Sequence, residues 1–330
     1  MKNKKINGLI IFIVTVIVLF LALKDDFLEK INYLFSFNMF WLVLGVLCVC
    51  LYWLGKSLVI YFCAQKFDKK YSLKKAFKLM LDTQFINAVT PFSVGGQPYQ
   101  IYRFKKQGIS IEKGTNIAIQ DFIVYQISLI LLGTIAIISN YFLGIFPPSS
   151  LLRKLVVLGY IINVAVIITL FIVAFNTKIN KKLLNWAIKI LSRLKLIKDK
   201  EGKLEQIDTY IYNFHQGATV LMKSKWHFFK IILINFVALV FLYLVPFTLI
   251  MGLSIDVNPF IVVVTSAYVM LIGSFVPIPG GTGGLEFGFV EFFGTYIIGA
   301  KLSSIMIMWR LLTYYFGLIV GAISINYKEE

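Results

Sequence analysis

Residues 276–286 read V-P-I-P-G-G-T-G-G-L-E, a run of proline and glycine within otherwise apolar sequence. Proline removes a backbone N–H donor and glycine weakens a helix, so this stretch cannot form an uninterrupted membrane helix. Inside a bilayer the freed backbone groups find no water, and they must be shielded by protein or line a polar cavity. The stretch therefore predicts a broken helix at membrane depth.

A second stretch, residues 90–98 (T-P-F-S-V-G-G-Q-P), has the same character. Setting Gly95 against Gly283 also sets Pro91 against Pro279, and both offsets are 188 residues (283 − 95 and 279 − 91). A fixed offset of this kind indicates an internal repeat. The residues that mark the two breaks are Pro91, Gly95, Gly96, Pro98, Pro277, Pro279, Gly280, Gly281, Gly283 and Gly284.

The composition is that of an integral membrane protein. Of the 330 residues, 58% are hydrophobic and only 15% are charged, with a mean hydropathy of +0.81. The net charge of +17 comes from clusters between apolar runs, which is typical of cytosolic membrane loops and argues against nucleic-acid binding. Cys48, Cys50 and Cys63 have neither disulfide nor metal spacing, and no catalytic or cofactor motif is found, so we predict no catalytic residues, metal or cofactor.

The distribution of apolar runs predicts an all-α integral membrane fold with about six full spans and two re-entrant helical hairpins. The predicted full spans are residues 6–23, 39–65, 116–139, 155–174, 226–251 and 303–325. Each is long enough to cross a hydrocarbon core of about 30 Å. For residues 6–23 a cleaved signal peptide is the alternative, but residues 21–24 (L-A-L-K) form a poor cleavage site.

Basic residues orient the spans and the two broken segments. Lysine-rich loops lie on both sides of the first broken segment, residues 77–102, so we predict that it enters and leaves the membrane from the cytosol. No basic loop follows the second, residues 259–297, so it is predicted to enter and leave from outside. Both termini are predicted to be cytosolic.

The two halves then contain the same elements in opposite directions. Residues 1–139 form the first half and residues 155–330 the second, within a single transmembrane domain of residues 1–330. A basic cytosolic insert, residues 176–225, interrupts the second half. Within it, residues 181–196 could form a helix that lies on the inner leaflet or packs beneath the protein's own loops. Inverted repeats with broken helices are a transporter architecture, although glycine and proline could instead simply permit close helix packing.

Charged residues inside the predicted membrane region are candidates for a substrate path, because such charges usually face a cavity or a partner. Lys56 and Asp121 fall in the predicted cytosolic half, Glu286 and Arg310 in the outer half, and each half could hold one ion pair. Lys56 and Arg310 could receive a lipid phosphate, for which the planar arginine fork is well suited. Static pairs that lock helix packing are the alternative. Arg103 is either a further path residue or an orientation charge.

Backbone N–H groups at the two breaks are a further candidate for anion binding. Helix interruption frees N–H groups around the glycine pairs at residues 95–96 and 283–284. Clustered N–H groups of this kind can hold a phosphate. We therefore expect these glycines to offer a second set of donors to an anionic headgroup.

The motifs at residues 90–103 (T-P-F-S-V-G-G-Q-P-Y-Q-I-Y-R), 105–110 (K-K-Q-G-I-S) and 277–286 (P-I-P-G-G-T-G-G-L-E) resemble the transmembrane region of lysylphosphatidylglycerol synthase. That family includes the flippase part of the bacterial multiple peptide resistance factor. The resemblance implies a multi-pass protein of the bacterial cell membrane. It also implies transport of an anionic or aminoacylated phospholipid, of the lysyl-phosphatidylglycerol type, between leaflets, with resistance to cationic peptides as the outcome.

This sequence departs from the family pattern at two positions. Relatives often carry an acidic residue at the position of Gln97 and arginine at that of Gln100, so the headgroup preference is left open, with Gln97 a path candidate. The resistance factor also carries a soluble lysyltransferase domain. Because this chain ends at Glu330, directly after the last span, we expect it not to perform that transfer itself.

Other functions are kept as alternatives. The chain could transport an isoprenoid phosphate, or act as an enzyme on a lipid-linked substrate, with Asp82 and Glu286 as candidate bases. It could also be the membrane part of a transferase system and bind a separate lysyltransferase or other lipid-modifying enzyme through its basic insert. The expected partners are the phospholipid substrate and the bilayer, and the oligomeric state is left open.

Overall fold

The computed structural model describes residues 27–146, 150–176, 223–274 and 276–327, with a few single positions between residues 178 and 219. Throughout this part of the chain the secondary structure is helical, without strands. The predicted span at residues 6–23 lies outside the described residues, as does nearly all of the predicted helix at residues 181–196.

Twelve α-helices are distinguished in the described residues. They are α1 (Phe27–Ser36), α2 (Met39–Ala64), α3 (Leu73–Ala88), α4 (Gly96–Lys106), α5 (Ile111–Leu143), α6 (Ser150–Phe175), α7 (Lys225–Tyr243), α8 (Val245–Gly252), α9 (Pro259–Gly273), α10 (Gly284–Phe293), α11 (Gly299–Arg310) and α12 (Phe316–Asn326). One π-helical turn, Leu311–Tyr315, joins α11 to α12.

Five helical segments of the described chain are long and apolar enough to cross a membrane. They are α2, α5, α6, the continuous pair α7 and α8, and the continuous pair α11 and α12. These five segments correspond to five of the six spans predicted from hydropathy. The protein is therefore a multi-pass helical membrane protein.

Both proline- and glycine-rich motifs interrupt a helix, as predicted. Between α3 and α4 lies a short 3₁₀ turn, Pro91–Ser93, which we call turn 1. Between α9 and α10 lies a second, Pro279–Gly281, which we call turn 2. The offset of 188 residues relates the two turns (279 − 91), the helices that follow them (284 − 96), and the next helices, α5 and α11 (299 − 111). The internal similarity of the sequence is thus also a similarity of local structure.

The same offset relates the backbone angles within the two turns. Phe92 and Ser93 have φ of 54°, and Gly280 and Gly281, 188 residues later (280 − 92 and 281 − 93), have φ of 66° and 64°. Left-handed backbone costs a residue with a Cβ atom about 1–2 kcal/mol, whereas glycine adopts it readily. Turn 1 therefore carries backbone strain that turn 2 avoids.

We expect Ser93→Gly to relieve this strain, and Ser110→Gly is its matched control. Ser110 has a φ of −60° and its side chain makes no capping bond, so the control adds only unfolded-state flexibility. The free energy of unfolding of Ser93→Gly should exceed that of Ser110→Gly by about 1–2 kcal/mol. Thermal unfolding of both variants in detergent measures the difference. Equal melting temperatures would show that turn 1 is unstrained.

The helices pack so that turns 1 and 2 contact each other. Helix α3 packs along α12. The spans α2 and α7 approach closely, because a Cβ atom at Gly55 would lie 2.5 Å from the Cβ atom of Ala238. The helix before α2, α1, packs against α11, and the Ser304 hydroxyl donates to the carbonyl of Lys30.

Candidate functional site: a cavity between the two helix breaks

A cavity of about 710 Å³ lies where turns 1 and 2 meet. Its wall includes Phe92 and Ser93 of turn 1, Gly280 and Gly281 of turn 2, and residues of the surrounding spans. This volume falls within the range of about 300–1,000 Å³ that is usual for ligand sites. The two repeated motifs therefore converge on one space that can hold a ligand.

Glu286 and Arg310 form one buried ion pair at this cavity. Their side chains lie 2.7 Å apart, from Arg310 Nε to Glu286 Oε1, and the residues are 8% and 6% exposed. Glu286 is in the first turn of α10, where its other oxygen accepts from the N–H of Gly283 and the helix dipole favours its negative charge. The pair predicted from sequence is therefore present, and Arg310 itself lines the cavity.

Arg310 also holds turn 2 in place. Its Nη2 donates to the carbonyl of Gly280 at 3.1 Å and to the hydroxyl of Thr282 at 3.2 Å. Its guanidinium carbon lies 4.6 Å from the ring centre of Tyr314, a favourable cation–π distance. One side chain thus belongs to the ion pair, to turn 2 and to the cavity wall.

Lys56 and Asp121 form the second predicted pair. Lys56 Nζ lies 2.7 Å from Asp121 Oδ1, and the Gln100 amide donates to Asp121 Oδ2 at 3.1 Å. These three residues line the cavity, and so does Gln97. The spans α2 and α5 therefore place a lysine in the same wall as Arg310, and the carboxylate of Asp121 has a partner on both oxygens.

Three of the four N–H groups of the two glycine pairs already have hydrogen-bond partners. The Gly95 N–H donates to the hydroxyl of Thr90 at 3.1 Å, and the Gly96 N–H donates to Asn87 Oδ1 at 2.8 Å. The Gly283 N–H donates to Glu286. Nearby side chains therefore satisfy these three donors, as burial in a membrane requires, and in this arrangement the three N–H groups do not offer the expected second set of donors to an anion.

The two motifs identify the chain's relatives. Residues 7–321 match the profile of the lysylphosphatidylglycerol synthase TM region. The chain belongs to this family. It is also similar to a UPF0104 membrane protein of Archaeoglobus fulgidus, with 21% identity over 306 residues that cover 88% of this chain and 87% of the relative. The resemblance recognised from the motifs is confirmed.

Arg103, a candidate path residue, does not line the cavity. Its Nε is 3.9 Å from Oδ2 of Asp82, which is fully buried. Asp82 also accepts from Tyr99 at 3.1 Å and from Ser324 at 2.5 Å, and Lys78 Nζ lies 3.3 Å away. None of these five residues is among the described residues that line the cavity. This cluster, which we call the Asp82 cluster, ties α3 to α4 and α12, and its engaged carboxylate suits helix packing better than general-base chemistry.

Several polar residues of the cavity wall were not predicted from the sequence. Gln84, Asn87, Gln126 and Asn163 line the cavity together with Gln97 and Gln100. Two of them, Gln126 and Asn163, stand in the middle of strongly apolar spans. An uncharged amide in such a span is costly unless it faces a partner or a polar space. The presence of these two amides in apolar spans was therefore the sequence signal for a polar cavity.

Proposed function

We propose that the protein moves a phosphate-bearing lipid between the two leaflets, with the headgroup passing through the cavity and the acyl chains remaining in the bilayer. The supporting observation is that one cavity is lined by both helix breaks and by a cation from each half of the chain, Lys56 and Arg310. An ion pair inside a membrane bundle is costly, and placement at a cavity gives it a use.

We propose in addition that the two halves of the chain form an inverted repeat, which is a transporter architecture. The matching turns at a single offset, and the contact between them, support two similar halves, and the distribution of basic loops favours opposite directions for these halves. In this proposed arrangement the chain has six spans, both termini are cytosolic, and α3–α4 and α9–α10 are re-entrant hairpins from opposite sides. The membrane is the bacterial cell membrane, following the family resemblance. Lys56 then serves the cytosolic leaflet and Arg310 the outer one.

Both cations retain donors for a phosphate. Among the described residues, Nη1 of Arg310 makes no hydrogen bond, and the ammonium of Lys56 bonds only Asp121. A phosphate oxygen can therefore bind each cation without first breaking its carboxylate contact. As the headgroup passes, Asp121 and Glu286 keep the vacated cations paired, which lowers the cost of leaving a charge in the membrane.

Exchange of fluorescent phosphatidylglycerol in vesicles that contain the purified full-length protein tests this function. We expect exchange well above that of protein-free vesicles, and about tenfold slower exchange in the double variant Lys56→Met, Asp121→Asn, because about 1.4 kcal/mol of lost phosphate binding corresponds to that factor. The double variant removes both charges together, so no buried charge is left without a partner. Exchange no faster than in protein-free vesicles would refute the proposal.

A further inference from the structure

Six neutral amides contribute to the polar part of the cavity wall. The six amide residues are Gln84, Asn87, Gln97, Gln100, Gln126 and Asn163, and they come from α3, α4, α5 and α6. Each amide has both a carbonyl acceptor and an NH₂ donor group. A wall of this kind suits a ligand that both donates and accepts hydrogen bonds at several points, as a set of hydroxyl groups does.

Much of this hydrogen-bonding capacity is unused. In the part of the chain that the structure describes, the side chains of Gln84, Gln97 and Gln126 make no hydrogen bond to another residue, and Gln100 Oε1 is buried without a partner. Gln100 and Gln126 are only 3% and 5% exposed. Buried amides without partners are costly, so a ligand that bonds them gains binding energy.

Aromatic rings complete the wall. Tyr52, Tyr125, Tyr243, Trp309 and Tyr314 line the same cavity. Aromatic faces pack well against the C–H faces of sugar and cyclitol rings, while polar groups at the edge pair with the ring hydroxyls. The combination of rings and amides thus favours a hydroxylated ring over a short apolar headgroup.

A cationic headgroup fits this wall poorly. Among the described lining residues, Asp121 provides the carboxylate, and both of its oxygens are engaged, by Lys56 and by Gln100. The remaining charges on the wall are the cations Lys56 and Arg310. The ammonium groups of a lysyl headgroup would lose their hydration without gaining a free carboxylate.

We propose that the transported headgroup is a sugar or cyclitol joined to the lipid through a phosphate. The phosphate binds Arg310 and Lys56, and the ring hydroxyls bind the amides, Gln100 and Gln126 foremost. This inference rests on the proposed transport function and narrows its substrate. The shared chemistry occurs in phosphatidylinositol and in hexosyl phosphoprenols.

The first experiment compares headgroups on the wild-type protein. Full-length protein in vesicles is given fluorescent phosphatidylinositol, a hexosyl phosphoprenol, phosphatidylglycerol or lysyl-phosphatidylglycerol, and leaflet exchange is measured for each. We expect at least one of the two ring-bearing lipids to exchange about tenfold faster than lysyl-phosphatidylglycerol, a factor that corresponds to about 1.4 kcal/mol. The ring-bearing lipid that exchanges faster shows whether the protein prefers a glycerophospholipid or a prenol lipid.

The second experiment removes one amide. Gln126→Leu should slow exchange of the preferred ring-bearing lipid about fivefold, the effect of about one lost hydrogen bond, and slow exchange of phosphatidylglycerol, which has fewer hydroxyl groups, by a smaller factor. Gln120→Leu is the matched control, because Gln120 is a buried glutamine on the same helix that does not line the cavity. It should leave both rates within about twofold of the wild type, since only the wall amide meets the hydroxyls.

The outcomes separate this inference from the transport proposal. Exchange of phosphatidylglycerol and lysyl-phosphatidylglycerol as fast as that of both ring-bearing lipids would overturn the headgroup assignment and leave the transport function standing. Equal slowing of all lipids by Gln126→Leu would do the same. Absence of exchange for every lipid would overturn the transport function, and this inference with it.

Discussion

The double variant Glu286→Gln, Arg310→Met is expected to lose lipid exchange to the level of protein-free vesicles while remaining folded. It removes the guanidinium that we propose binds the lipid phosphate, and it removes its buried carboxylate partner at the same time. Neutralising both members of a buried pair is often neutral for stability, whereas removing one costs about 3–5 kcal/mol. Exchange assays together with melting temperatures in detergent measure the two effects separately.

Two further variants separate the role of the charges in transport from their role in stability. Arg310→Met alone should melt well below the double variant, because it leaves Glu286 charged and buried. The double variant Lys78→Met, Asp82→Asn neutralises an ion pair of the Asp82 cluster, which does not line the cavity, and should keep exchange within about twofold of the wild type because the phosphate path is intact. Wild-type exchange by the Glu286 and Arg310 double variant would show that this pair only locks helix packing.

The second large effect is expected for Gly280→Ala in turn 2. Gly280 has a φ of 66°, and an added Cβ atom would overlap the ring of Tyr314. That ring cannot move freely, because its hydroxyl donates to the carbonyl of Ala88 at 3.0 Å and its face packs against Arg310. Left-handed strain of about 1–2 kcal/mol and overpacking of about 1–3 kcal/mol should add up to about 2–5 kcal/mol of lost stability.

Gly108→Ala provides the matched control. Gly108 has a φ of 86°, but an added Cβ atom there meets nothing within 4 Å. It should therefore lose only the conformational part, about 1–2 kcal/mol. The measurement is the melting temperature of each variant with its yield of monodisperse protein. Equal losses in the two variants would contradict the close contact between turn 2 and Tyr314.

Several features follow from the sequence because they depend on local chemistry. Apolar length marks five of the spans seen in the structure, and proline and glycine mark turns 1 and 2, since backbone hydrogen bonding is decided within a few residues. Because few charged residues lie in apolar surroundings, their ion-pair partners could also be predicted from the sequence. A buried charge must be paired, and Lys56 with Asp121, and Glu286 with Arg310, were the available pairs.

The tertiary structure alone decided which way side chains face. Arg103 follows turn 1 in sequence as a path residue would, yet it lies beside Asp82, because α4 packs between α3 and α5 with that face turned to α3. The N–H groups of the glycine pairs were predicted to be free, but in the folded chain three of them donate to the side chains of Thr90, Asn87 and Glu286.

The six amides that line the cavity show the same limit of prediction from sequence. By itself the sequence determined that this is a helical membrane protein of the lysylphosphatidylglycerol synthase transmembrane family with two helix breaks. Gln126 and Asn163 lie on different spans, 37 positions apart in the sequence (163 − 126), and hydropathy along the chain does not relate them. Only the packing of α3, α4, α5 and α6 around turns 1 and 2 places their side chains on one cavity, because contacts between distant spans depend on tertiary packing and not on local sequence.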